Sequence, residues 1–171
     1  MMKQIELCFE VEKNFIPIQY HSLMLSFIKG SVQGYSPELF SEWFGPGGTV
    51  RKSYTFSCFF PSAKFEKERI LLGENYFKMF FSTHDLRDLL LFYNVFLQRV
   101  NGSFPMAANT FTLRSLYTPS VAEIQKSQVM VKFDSPLLVR FHDKEANRDT
   151  FLAYFDERFA DVLKENLAVT L

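Results

Sequence analysis

Cysteine is nearly missing from this chain. Cys8 and Cys58 are the only two in 171 residues, and no CxxC or Cys/His spacing accompanies them. That excludes a disulfide framework and a zinc finger or ribbon, and it leaves two reduced thiols in a cytoplasmic protein as the expectation. Histidine is as scarce: His21, His84 and His142 complete the set. Long apolar runs are missing too. The longest, such as Leu89-Leu90-Leu91-Phe92-Tyr93, fall far short of the about 20 residues that cross a bilayer, so no membrane is expected. Met1 to Glu10 lacks the basic and then apolar layout of a signal peptide. No P-loop, GxGxxG or GxSxG occurs, which removes the phosphate-cradling loops and the nucleophile elbow that depend on them. Net charge is absent as well: 19 basic side chains balance 19 acidic ones, which counts against a polyanion binder that relies on global charge. No cofactor is expected.

What is there is phenylalanine. The chain holds 21 Phe, spread from Phe9 to Phe159, and rings so dispersed are expected to pack a core first. Any left outside would be stacking platforms for bases. The charge is also unevenly placed. Residues 47–69 hold Arg51, Lys52, Lys64, Lys67 and Arg69 against Glu66 and Glu68, while residues 134–165 are acidic on balance. A local basic strip can bind phosphate in a neutral chain.

Periodicity orders the elements. Ile5, Leu7, Phe9 and Val11 alternate with polar partners, which predicts a half-buried strand. Gln19 to Val32 carries Leu23, Phe27 and Ile28 at helical spacing and should end at Gly34. Ser36-Pro37 starts a short second helix as N-cap and first residue, with Leu39 to Phe44 as its body and Gly45-Pro46-Gly47-Gly48 as its stop. Lys52 to Phe60 reads as a strand. Arg69 to Leu72 and Tyr76 to Phe81 read as a hairpin around Gly73-Glu74-Asn75. Ser82 with Asp85 resembles a capping box, and Leu86, Leu89, Leu90, Tyr93, Leu97 and Val100 make one face of the helix that follows. Asn101-Gly102 stops it, and Thr110 to Tyr117 is a further strand.

That order is a βαββαβ unit, so the fold class is α+β, with a ferredoxin-like domain over residues 1–120. After Pro119 the pattern starts again. Val129, Val131 and Phe133 alternate, Pro136 to Phe141 and Phe151 to Phe155 read as strands, and Asp156 to Leu167 as a helix. Residues 121–171 are therefore expected to form a partial second ferredoxin-like domain, lacking a helix and a strand.

The residues also carry a family resemblance. Pro17 to Leu23 with Phe27-Ile28 looks like the opening helix of the CRISPR repeat-RNA-processing endoribonucleases, the sixth Cas family of the RAMP superfamily. Tyr54-Thr55-Phe56-Ser57 is similar to their next strand, and Phe80-Phe81-Ser82-Thr83 to the strand-to-helix junction. Ser135 to Arg140, then Phe159 to Leu167, resembles the start of their second domain. The resemblance implies two tandem ferredoxin-like domains, CRISPR repeat RNA as partner, other Cas proteins around it, and cleavage without metal. The ribose 2′-OH attacks the adjacent phosphate and leaves a 2′,3′-cyclic phosphate.

That reaction requires a base, an acid and a cation for the phosphorane. Carried onto this chain, the family's lysine falls on Lys52, with Arg51 beside it. Its tyrosine falls near Lys29, and its histidine on Trp43-Phe44. The catalytic candidates are then Lys52, Lys29 and, as the substitute imidazole, His21. Arg51, Lys52 and Lys64 are the RNA-binding candidates. His84 is expected to be structural, His142 has no evident partner, and Asp143, Glu145 and Asp149 read as a solvated loop. The family's C-terminal glycine-rich loop has no counterpart here. Two further readings stay open: a non-catalytic module that only binds repeat RNA, and an interaction domain that pairs through an open sheet edge, as in a homodimer.

Overall fold

The computed structural model describes residues 3–45, 53–106, 108–119, 128, 130, 137–143 and 145–168. Arg51, Lys52, the Pro46-Gly47-Gly48 stop, Pro136 and the alternating Val129, Val131 and Phe133 lie outside them. The protein is α+β and divides into two compact units, Met1–Ile124 and Gln125–Leu171.

In the first unit β1 (Lys3–Val11) is followed by a short β2 (Phe15–Pro17), α1 (Tyr20–Tyr35), α2 (Pro37–Phe44), β3 (Tyr54–Phe59), β4 (Lys64–Phe65), β5 (Arg69–Leu71), β6 (Tyr76–Thr83), α3 (Leu86–Leu97), β7 (Ser103–Met106) and β8 (Asn109–Tyr117). The main sheet runs β3-β6-β1-β8-β7, antiparallel throughout. Register aligns Ile5 with Phe81, Leu7 with Met79 and Phe9 with Phe77, so one face of the sheet is continuously apolar. Phe9 is the hub, with its ring 5.0 Å from Phe77, 5.1 Å from Phe27 and 5.2 Å from Phe111. The Phe-rich composition is thus spent largely on a single core, in which Phe9, Phe77, Phe81, Phe92 and Phe96 are fully buried.

Two helices cover that face. On α1 the buried residues are Met24, Phe27, Ile28, Ser31 and Val32, the i, i+3, i+4, i+7, i+8 stripe of an amphipathic helix. The helix passes through Gly34 instead of ending there. A Cβ on Gly34 would meet the Arg99 guanidinium at 2.0 Å, and the missing side chain lets Arg99 donate to the Gly30 carbonyl at 2.7 Å. The Ser36 hydroxyl caps α2 as expected, accepting from the Leu39 N–H at 3.1 Å, with Pro37 at the first position.

The start of α3 differs from the capping-box expectation. Asp85 is itself the N-cap, accepting from the Arg87 and Asp88 N–H groups, while Ser82 is still in β6. The buried face differs too. It consists of Leu89, Phe92, Val95 and Phe96, and Leu86, Leu90 and Leu97 face outward. Both stripes fit the helical period, and the one carrying the Phe rings gains more by burial.

The expected hairpin between Arg69–Leu72 and Tyr76–Phe81 does not form. β5 pairs with β2 and β4 in a separate three-stranded sheet, whereas β6 pairs with β1 and β3. The Asn75 carbonyl accepts from the Val11 N–H, and the Leu72 N–H donates to the Asn14 carbonyl, so the turn is tied to the β1–β2 link. α3 ends through a turn in which Asn101 takes a φ of 63°, the left-handed conformation that Asn tolerates.

In the second unit β9 (Val139–Asp143) and β10 (Arg148–Leu152) form an antiparallel pair, and α4 (Phe159–Ala168) follows. The second strand begins three residues before the expected Phe151. Val139, Leu152 and Val162 are its buried core, with Phe141, Phe159 and Leu163 packed against them. No helix among the described residues is long and apolar enough to cross a membrane.

Candidate nucleic-acid interface

The face of the main sheet turned away from the helices is charged, and its charges are paired. The Glu6 carboxylate is only 6% exposed. The Lys78 ammonium holds one oxygen at 2.7 Å, and the Tyr117 hydroxyl donates to the other at 2.7 Å. Those contacts raise the pKa of Lys78 and of Tyr117 above their ordinary values, the hydrogen bond to Glu6 being the main cause in each. Further along, Arg114 binds Glu10 at 2.6 Å. Such pairing leaves this face little unspent positive charge for phosphate.

The expected site residues are spread over the first unit. His21 lies in the first turn of α1, exposed, with its ring stacked on Phe56 of β3 at 4.5 Å. Its neighbour Tyr20 packs edge-on to Phe60 at 4.8 Å, and burial raises the pKa of its hydroxyl. Lys29 lies eight residues along the same helix, a rise of about 12 Å. It is exposed, with its ammonium 5.6 Å from the centre of the Phe44 ring in α2. His21 and Lys29 are therefore not brought together. Lys64 is exposed on β4, next to Phe65, whose ring is 64% exposed. Arg69 on the adjoining strand is engaged, bound to Glu66 at 2.9 Å.

Lys52 and Arg51 lie outside the described residues. The next residue, Ser53, hydrogen-bonds through its hydroxyl to the Asp88 carboxylate in the first turn of α3. His84 occupies the bend between β6 and the N-cap Asp85. Cys58 points toward the helix-covered face, and desolvation pushes its thiol up to about 12. Both cysteines are free thiols.

His142, which shows no partner in sequence, has one in the fold. Its ring nitrogen Nδ1 lies 2.9 Å from Asp149 Oδ1 across the β9–β10 pair, and Arg140 Nη1 lies 3.5 Å from the other Asp149 oxygen. Of the loop acids, Asp143 and Asp149 are occupied. Asp143 accepts the N–H groups of Glu145 at 2.9 Å and Ala146 at 3.0 Å, closing the turn. The sequence signal for the dyad was a pairing rule. With Asp143 opposite Arg148, His142 must face Asp149.

This is the fold of the Cas6 and RAMP proteins. Among solved structures, a Cas6-related protein from Pyrococcus furiosus matches over 99% of this chain and 69% of its own, at a TM-score of 0.75 and 17% identity. A RAMP protein described as binding different RNA substrates matches over 98% of this chain and 69% of its own, with TM-score 0.73 and 20% identity. A CRISPR-associated protein Cas6 matches over 99% and 70%, with TM-score 0.69 and 17% identity. No protein-family model matches the chain, and no curated protein is similar to it in sequence.

Proposed function

We propose that this chain binds CRISPR repeat RNA and cleaves it by attack of a ribose 2′-OH on the adjacent phosphate, without a metal. The observation that carries this reading is the Cas6 and RAMP fold, matched over nearly the whole chain. The β3-β6-β1-β8 order, with helices on one face, supports a ferredoxin-like arrangement for residues 1–120. A partial second domain of the same kind spans residues 121–171.

Lys29 and Lys64 are the exposed cations of the first unit that we assign to RNA phosphates, together with Arg51 and Lys52. His21, whose ring is stacked on Phe56, contacts a nucleotide at the first turn of α1. Phosphate contacts of this kind make affinity fall steeply with salt. The neutral composition is compatible with them, because the acids of the open sheet face are bound to Lys78, Tyr117 and Arg114.

The test is incubation with a cognate repeat RNA in EDTA, with product ends examined and binding measured over a salt series. Cyclic-phosphate ends and salt-sensitive binding are expected. Intact RNA at high protein excess would overturn the cleavage. Unchanged binding after Lys29, Arg51, Lys52 and Lys64 are all changed to Ala would overturn the assigned surface.

A further inference from the structure

The β9–β10 pair has two unlike faces. One is apolar: Val139, Leu152 and the partly buried Phe141 pack under Val162, Phe159 and Leu163 of α4. The other carries Arg140 and His142 from β9 and, directly opposite them, Phe151 and Asp149 from β10. The Asn166 side-chain amide donates to the Arg140 carbonyl at 3.1 Å, so α4 also anchors the strand that presents these groups.

The four side chains are complementary in chemistry. A carboxylate only accepts hydrogen bonds, so the His142 Nδ1–H is the donor to Asp149 at 2.9 Å. In the neutral imidazole this places the lone pair on Nε2, the tautomer a proton acceptor needs, while Asp149 fixes the ring. The imidazole is 42% exposed, and so within reach of a substrate. Arg140, 62% exposed and already drawn toward Asp149 at 3.5 Å, supplies a guanidinium suited to phosphate oxygens. The Phe151 ring is 63% exposed and offers a flat face to a nucleobase. Among the described residues, the charged groups on this face with His142 are Asp149 from β10 and Arg140 from its own strand, and α4 packs on the opposite face.

We infer that the open face of the β9–β10 pair is a nucleotide site of this chain, in which His142 is the general base for RNA cleavage and Asp149 positions it. The inference rests on the reading of the chain as a repeat-RNA-processing protein, and it places proton transfer in the second unit. Phe151 stacks a base beside the scissile linkage and Arg140 contacts its phosphate. The 2′-OH gives its proton to His142 Nε2 as the O2′–P bond forms and the P–O5′ bond breaks. The departing 5′-oxygen takes a proton from water, and the imidazolium later returns its own proton to solvent. The ends are a 2′,3′-cyclic phosphate and a 5′-hydroxyl, so no oxidant, metal or cofactor enters the balance.

Single-turnover cleavage of a repeat RNA in EDTA tests this, with binding and the far-UV circular dichroism of each variant recorded alongside. His142→Ala is expected to slow cleavage by about 100-fold or more, with RNA affinity within about two-fold and the spectrum unchanged. Added imidazole should restore part of the rate. Asp149→Asn should slow cleavage with little change in RNA affinity, because the amide no longer fixes the ring tautomer, and Asp149→Glu should recover part of the rate. A purely structural Asp149 would give no recovery of rate with Glu at unchanged folding. His84→Ala should cleave as the wild type does. If His142→Ala alters the spectrum, His142→Gln takes its place.

A wild type that cleaves, alongside His142 variants that cleave equally well, overturns the dyad and leaves the repeat-RNA reading standing. A wild type that binds the RNA but leaves it intact overturns the cleavage reading itself, and the base role falls with it.

Discussion

The side-chain amide of Asn109 closes a ring of hydrogen bonds around Lys13. It donates to the Lys13 carbonyl at 2.7 Å and accepts from the Lys13 N–H at 3.0 Å. The same amide donates to the Phe15 carbonyl at 2.6 Å and accepts from the Thr110 N–H at 2.8 Å. Asn109 is buried at the start of β8, where few waters could replace these partners.

Asn109→Ala should therefore destabilise the first unit by about 3 kcal/mol, since several buried backbone groups lose their partner at once. Urea unfolding followed by circular dichroism measures this, and a change under about 1 kcal/mol would mean that water fills the site.

Alkaline pH should weaken the fold through Glu6. Lys78 and Tyr117 are both held protonated by that carboxylate, so their folded pKa values lie above the unfolded values of 10.5 and 10.0. Their contribution is complete below the unfolded values and is lost as pH rises through the higher, folded ones. Urea midpoints should fall over that window in the wild type. With Glu6→Gln they should start lower and fall less.

Cys58 should react slowly with thiol reagents in the folded chain, because its pKa of about 12 leaves almost no thiolate at neutral pH. Cys8, also raised by burial but less enclosed, should react first. As pH rises from the unfolded thiol value of 9.0 toward the folded one, the unfolded state gains by ionising and stability drops. Cys58→Ser should flatten that drop. Fast labelling of Cys58 under native conditions would contradict its enclosure.

The two stripes of α3 should separate cleanly by mutation. Phe92→Ala should cost about 4 kcal/mol, the range for a buried ring. Its ring lies 5.1 Å from Trp43, so the sole tryptophan reports the change by fluorescence. Leu90→Gln, on the exposed side, should stay within about 0.5 kcal/mol of the wild type. Equal losses at both positions would mean the helix is turned.

Local signals were readable where one residue decides the conformation. Ser36-Pro37 marked the start of α2, and the alternation from Ile5 to Val11 marked β1. Pairings decided between distant segments were not readable. β2, β4 and β5 are two or three residues long, and they exist because Ile16, Ile70 and Phe65 line up across the chain. Neither propensity nor periodicity can see an alignment of that kind. The α3 face failed for a different reason, since two stripes satisfied the same period and only packing chose between them. The His142–Asp149 pair needed the register of one turn, and the expected strands stopped short of it on both sides, the first ending at Phe141 and the second starting at Phe151.

The short β7 bears on how the molecule behaves in crowded solution. It is the outermost strand beyond β8, and Pro105 stands exposed within its four residues. Proline offers no N–H to an incoming strand, and so short an edge gives a newcomer few other groups to hold. Sheet growth from one molecule to the next is thereby blocked on that side. A Pro105→Thr exchange would give the edge back its donor, and the protein's tendency to precipitate with it.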